Sequence, residues 1–239
     1  MEKGIRVTTL WSFYACAYKH KNQEFNIKVE DTYKGDILNA AATSESSIDP
    51  LLDYYIKNIN QSLKLRMVLK DCCTQVAEYV KDMKKNTEEF SQERKFVLKY
   101  NREYYIEGTP DIYYKDADGW IVEDLKMSTH SRFEHEDSWI YNMQTYLYPL
   151  FVMEYYNVDE CRFAYMVYDK GNGKWKKIWP RVRTRRECRD KLDEVMTMYI
   201  EAEFTWEYKA NKQRMCRFCP LKKLGCPAYA GEQAESSSI

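Results

Sequence analysis

From Glu93 to Met127 the chain alternates apolar and polar residues with a period of two, and this constrains its fold more than any other feature. Lys95, Val97 and Lys99 stand against Phe96, Leu98 and Tyr100, and the pattern resumes over 104–114 and 120–127, around Lys115-Asp116-Ala117-Asp118-Gly119. Successive side chains of a strand point to opposite faces, so this texture predicts a β-meander closed by an Asp-Gly turn. Helical spacing surrounds it. Leu10, Phe13, Tyr14 and Ala17 predict a first helix that Thr8 or Thr9 can cap and on which Cys16 lies. Asp49-Pro50 opens a second, with Leu51, Leu52, Tyr55, Ile56 and Ile59, and a further helical pattern runs to about Met83. Beyond the meander we expect a helix over 137–156, a strand over 162–168, a glycine turn over 171–173 and a strand over 175–182. A last helix is capped by Thr184 with Glu187 and carries Leu192, Val195, Met196, Tyr199 and Ile200. Helices on both sides of a strand-rich middle predict an α/β fold.

With 239 residues, 44% of them hydrophobic, the chain can bury one sizeable core. We expect a single domain over 1–230 and a disordered tail over 231–239, with its run of serines. Lysine and arginine number 37 and so do aspartate and glutamate, so any surface for a polyanion must be local. No stretch approaches the ~20 apolar residues that span a bilayer, and the start lacks the apolar segment of a secretory signal. A soluble cytoplasmic protein without membrane contact is expected. Its 21 tyrosines suit a large core with amphipathic edges, and some can stack on nucleobases.

Two acids and a lysine stand out within the meander. Gly108-Thr109-Pro110-Asp111 is followed on the next strand by Glu123-Asp124-Leu125-Lys126. Residues i and i+2 of a strand share a face about 7 Å apart, so Asp124 and Lys126 converge while Glu123 faces away. Asp111 joins them across the hairpin. Carboxylates that hold Mg²⁺ or Mn²⁺, beside a cation that orients water and offsets phosphate charge, are what phosphodiester hydrolysis needs. An ordinary solvated hairpin is the competing explanation, because Asp-x-Lys is a short pattern.

Gly-x-Pro-Asp followed by a strand ending in Asp-x-Lys-x-Ser resembles the core signature of PD-(D/E)XK nucleases. Gln144-x-x-x-Tyr148 resembles the Q-x-x-x-Y element of their RecB-like branch, and its i, i+4 spacing puts both side chains on one helical face. The resemblance implies a restriction-endonuclease-like core, a mixed central β-sheet flanked by helices, with N-terminal helices and a C-terminal cysteine segment. It implies a metal-dependent deoxyribonuclease, an exonuclease acting on single strands or DNA ends in repair, recombination or phage- or CRISPR-type processing. Asp111 and Asp124 would hold the metal, Lys126 would orient water, Gln144 and Tyr148 would assist, and Glu93 would supply the further acid that such nucleases often carry. Pro149 predicts a kink or restart beside Tyr148. The family's early metal-binding histidine is replaced: after Gly35 the corresponding place falls near Asn39, a neutral and weaker ligand, and His20, His130 and His135 match that place poorly.

Cys216-x-x-Cys219-Pro and Cys226-Pro provide three thiols with metal-ligand spacing. Leu10-x-x-Phe13-x-x-Cys16 resembles the N-terminal element of iron–sulfur members of the branch, such as CRISPR-associated iron–sulfur exonucleases and AddB-type helicase–nuclease subunits. That resemblance implies a [4Fe-4S] cluster on Cys16, Cys216, Cys219 and Cys226, with a Zn²⁺ site as the alternative. Helicase, recombination or CRISPR-adaptation proteins are the partners it suggests, and a catalytically weak iron–sulfur DNA-binding subunit is the alternative function. Cys72, Cys73, Cys161 and Cys188 lie in apolar periodic contexts and are expected in the core. Lys174, Lys176, Lys177, Arg181, Arg183, Arg185 and Arg186 form the densest basic stretch, either a phosphate-contacting surface or a solvated edge strand.

Overall fold

The longest alternating run becomes the central strand of the molecule. In a computed structural model of the chain, which describes residues 2–21, 40–43, 63–128, 133–134, 137–140, 142–169, 171–178, 181–210 and 226–229, this strand is β6 (Gly119–Ser128). Its neighbours are β5 (Ile112–Asp116), antiparallel across the hairpin, and β7 (Glu160–Asp169), parallel. β2 (Phe90–Gln92) extends the sheet beyond β5, β8 (Lys174–Ile178) extends it beyond β7, and the short β9 (Arg183–Thr184) pairs with the start of β7. The parallel β6–β7 pair needs a crossover. It is made through α5 (Gln144–Tyr156), which packs on one face of the sheet.

Alternation along β6 sorts the core into two layers. Trp120 and Val122 join Tyr113, Phe163, Tyr165 and Leu147 on the α5 side, where α1 (Val7–Ala15) and α6 (Arg185–Thr205) complete the packing. Ile121 and Leu125 join Tyr114, Ala164, Met166 and the α3 helix (Leu63–Asn86) on the other side. As expected, Cys72, Cys73, Cys161 and Cys188 are buried. The result is a mixed sheet between helical layers, the restriction-endonuclease-like arrangement.

The meander itself divides. The strand expected over 104–114 is two, β4 (Tyr104–Gly108) and β5, and β4 belongs to a separate three-stranded sheet with β3 (Phe96–Lys99) and β1 (Lys3–Arg6). Pro110 lies in the gap; it has no N–H for a ladder and fixes its own φ, so the chain leaves one sheet before entering the other. Because β1 runs straight into α1, the helix begins at Val7 with Arg6 as its cap residue, and Thr8 and Thr9 lie inside the first turn instead of capping it. Cys16 terminates the helix, and α2 (Ala17–Lys21) follows. The helix expected over 137–156 is interrupted, with α4 (Asp137–Ile140) ahead of α5. Pro149 sits inside α5 without ending it, since burial of every side chain from Gln144 to Met153 holds the helix in place. The strand expected over 175–182 ends at Ile178. The helix expected from Asp49 to Ile59 lies outside the described residues, as does the tail.

One glycine sets how closely β4, α1 and α5 approach. A Cβ on Gly108, at the end of β4, would meet Phe151 and Val7 at 2.8 Å and Tyr148 at 3.0 Å. Gly108→Ala is therefore expected to cost about 1–3 kcal/mol by overpacking. Urea denaturation checks this, and an unchanged midpoint would mean that the contact is slack.

Candidate active site

Strand parity and hairpin register assemble the predicted acids. Asp124 and Lys126 point to the α5 side of β6, because Trp120 and Val122 do. The β5–β6 ladder pairs Ile112 with Glu123, which brings Asp111, one residue outward, alongside Asp124. Asp111 Oδ2 accepts the Leu125 N–H at 2.7 Å, tying the first acid to the backbone of the strand that bears the second. Lys126 Nζ lies 2.6 Å from Asp124 Oδ2, with the Asp124 side chain 1% exposed and the lysine 26%. Beyond this contact Oδ2 is buried and has no hydrogen-bond partner among the described residues. Burial first, then the charge of Asp124, raises the Asp111 carboxyl well above the usual carboxylate range; Glu93 adds to the shift, while Lys126 and the Leu125 N–H oppose it.

The helix-borne pair arrives as its spacing predicts. Gln144 Nε2 donates to Tyr148 Oη at 3.0 Å and, at the long distance of 3.4 Å, to Asp124 Oδ1. Burial and the Asp124 charge push the Tyr148 phenol up, so it stays neutral. Sequence reasoning missed Asn142, which is 3% exposed. Its Oδ1 accepts the Gln144 N–H at 3.0 Å, and its Nδ2 donates to Gln144 Oε1 at 3.4 Å and to Tyr165 Oη. Asn142 thus orients the Gln144 amide, which in turn faces Asp124. The only hint in the sequence was an amide two residues before Gln144.

Glu93 does not head the strand before the hairpin; it follows β2, in the left-handed region at φ 50°. Its N–H donates to the Asp111 carbonyl at 3.1 Å, and burial raises its carboxyl pKa. A non-glycine residue held in that region beside two acids is strain of the kind that gathers at functional sites.

Other expected residues are not brought to this place. Asn39, His130, His135, Cys216 and Cys219 lie outside the described residues. His20 packs edge-on against Phe13 and Tyr199. Cys16 is half-buried at the end of α1, and Cys226 is buried just before a 3-10 turn at Pro227–Tyr229. Much of the basic stretch is engaged: Lys176 pairs with Glu134, Lys177 with the buried Glu123, and Arg185 donates to the Val158 and Met153 carbonyls.

The donor set suits a hard divalent cation. Among the described residues no group of three or more His, Cys, Asp or Glu side chains gathers. Mg²⁺, however, is commonly held by one or two carboxylates and keeps several waters. Two facing carboxylates, a buried oxygen with no hydrogen bond among the described residues and an acid raised by burial and by its neighbour all call for added positive charge.

A mixed sheet bearing Asp111, Asp124 and Lys126 on its central hairpin, with Gln144 and Tyr148 from the crossover helix, defines a class. The sequence profile of the PD-(D/E)XK nuclease superfamily matches residues 7–227, and the chain belongs to that superfamily of enzymes acting on phosphodiester bonds. Among solved structures it is similar to a provisionally assigned exonuclease from Eubacterium rectale, at 14% identity and a TM-score of 0.56 over 89% of this chain and 86% of that one. It also aligns with SSO0001, at 14% identity and a TM-score of 0.43 over 95% of this chain and 87% of that one. No curated protein matches the sequence. No helix among the described residues is long and apolar enough to cross a membrane.

Proposed function

We propose that the chain is a metal-dependent deoxyribonuclease of the RecB-like branch, an exonuclease working on single strands or DNA ends in repair, recombination or phage- or CRISPR-type processing. The observation that carries this reading is the Asp111–Asp124–Lys126 constellation, with Lys126 Nζ 2.6 Å from a buried carboxylate oxygen that has no other polar partner among the described residues. Asp111 and Asp124 would hold Mg²⁺ or Mn²⁺, which supplies Lewis-acid polarisation of the phosphate and a water of lowered pKa. Lys126 orients the attacking water and offsets charge on the phosphate. Gln144 positions Asp124, Tyr148 supports Gln144, and Glu93 adds negative charge beside Asp111. The exonuclease description of the Eubacterium rectale protein agrees with this reading. Labelled single- and double-stranded DNA should be degraded with Mg²⁺ or Mn²⁺ and left intact with excess chelator. DNA bound but uncut with either metal would favour the weak DNA-binding subunit, to which the neutral Asn39 points.

Cys16, Cys216, Cys219 and Cys226 are proposed to hold a [4Fe-4S] cluster that ties the end of α1 to the C-terminal segment, with helicase, recombination or CRISPR-adaptation proteins as partners. The spacing of the three late thiols supports this, as does the place of Cys16 at the end of a helix that packs against α5 and α6. Protein purified anaerobically should be brown, with about four irons and four sulfides per chain, and should lose thermal stability when the metal is stripped. Colourless protein with stoichiometric zinc would replace the cluster with a Cys₄ zinc site.

A further inference from the structure

Beside the acids lies a cavity that the metal-centred chemistry does not use. It has a volume of about 340 Å³ and is lined by Arg6, Val7, Thr8, Lys95, Gly108 and Tyr148, among others. Ligand sites span roughly 300–1,000 Å³, so this one has room for a single nucleotide unit and not for a duplex. Its lining is linked to the acids in two ways. Thr109 lines the cavity, and Asp111 is two residues along the same backbone. The Tyr148 ring lines it too, while Tyr148 Oη accepts the hydrogen bond of Gln144, which faces Asp124.

Charge at the mouth has the sign that a DNA strand needs. Glu107 is shared by Lys95 at 2.7 Å and Arg6 at 3.6 Å, so two cations meet one carboxylate and leave an excess of positive charge. Lys95 holds the Glu107 carboxyl below its usual range, with Arg6 contributing. Both cations are exposed, at 63% and 78%, and exposed pairs of this kind are weak. They can turn from Glu107 to an arriving anion at little cost. Across the lining, Val7, Gly108 and the Tyr148 ring give an apolar wall on which a sugar or base can rest.

We propose that this cavity is a substrate subsite that takes the nucleotide unit next to the scissile phosphate, with Arg6 and Lys95 on its phosphate group and Glu107 holding the two cations in place between turnovers. The proposal rests on phosphodiester hydrolysis at Asp111, Asp124 and Lys126, and adds to it a second point of attachment for the strand.

The test uses the full chain loaded with Mg²⁺ or Mn²⁺, and two variants. Arg6→Gln with Lys95→Gln removes the charge, and Thr8→Trp fills the mouth from an exposed position. Steady-state kinetics are measured on a single-stranded oligonucleotide and on bis(p-nitrophenyl) phosphate, which has no neighbouring nucleotide. Both variants should raise KM for the oligonucleotide about tenfold more than for the small diester. The charge variant should also lower the slope of log KM against log salt by about 0.7, the value for one single-strand phosphate contact. A loss confined to end-phosphorylated oligonucleotides would assign the subsite to a terminal phosphate; an equal loss with hydroxyl ends would assign it to an internal diester. If wild type cleaves both substrates and both variants match it on the oligonucleotide, the subsite is overturned alone. If wild type cleaves neither, the nuclease reading falls and the subsite falls with it.

Discussion

Lys126→Ala is expected to slow DNA cleavage by about two to three orders of magnitude, the usual cost of removing one preorganised electrostatic group from a reacting centre. Lys126 Nζ is the cation 2.6 Å from Asp124, and the neighbouring Asp111 and Glu93 are acids whose carboxyls burial raises. Without the ammonium, a phosphate must approach acids that repel it, and water loses its orienting charge. The same substitution leaves Asp124, with a 1% exposed side chain, short of a cation, so the metal-free variant should also be less stable than the metal-free wild type. A divalent ion should stabilise the variant more than the wild type, because a ligand that binds only the native state adds stability with its affinity. Lys126→Arg should not restore the rate, since a planar fork cannot occupy the space of a compact ammonium. Single-turnover cleavage with saturating metal, together with melting curves with and without it, checks both parts. Cleavage by Lys126→Ala at the wild-type rate would remove this hairpin from the mechanism.

The parts of this centre that were legible in the sequence are those governed by local periods. Period two placed Asp124 with Lys126 and sent Glu123 the other way, and i, i+4 spacing placed Gln144 with Tyr148. The Thr184–Glu187 capping box is equally local, with the Glu187 N–H donating to Thr184 Oγ1 at 3.2 Å and the Thr184 N–H to Glu187 Oε2 at 2.9 Å. What escaped depends on contacts between distant segments. β1 is too short to show alternation and exists because it pairs in parallel with β4, about a hundred residues away. Asn142 matters through Tyr165, which a crossover brings back beside it. Arg6 and Lys95 look like ordinary surface charges until the β1–β4–β3 pairing gathers them at Glu107. Residue parity tells which way a side chain points, and only the assembled sheet tells what it meets.

Glu123 shows the same limit on the opposite face of β6, and its removal should have the largest effect on stability. It is fully buried, accepts from Tyr79 Oη at 2.6 Å and Tyr114 Oη at 2.8 Å, and has Lys177 Nζ 2.5 Å from its Oε1. Lys177 comes from β8, one strand beyond β7, and the β7 residue in register with Glu123 is Ala164, whose small side chain leaves room for the lysine to cross. Burial alone would lower the Lys177 pKa, but the charge and hydrogen bond of Glu123, with Tyr114, more than offset it and raise the pKa. Glu123→Ala removes the countercharge of that ammonium, which still donates to Tyr114 Oη at 3.0 Å, and the acceptor of two tyrosine hydroxyls, and is expected to cost about 3–5 kcal/mol. Glu123→Leu combined with Lys177→Met should recover the share of the loss due to the ammonium, because a buried ion pair replaced by apolar side chains is often neutral, while the two tyrosine hydroxyls still lack that acceptor. Linkage sets the pH signature. A lysine whose folded pKa is raised contributes stability that is complete below its ordinary 10.5 and fades as pH climbs through the folded value. The gap between wild type and Glu123→Ala should therefore narrow as pH rises toward and past 10.5, because the variant's Lys177, lowered by burial, sheds its proton below that value while the wild type's holds it above. Urea unfolding across that range separates this account from simple cavity formation, which predicts a gap independent of pH and no rescue by the double substitution.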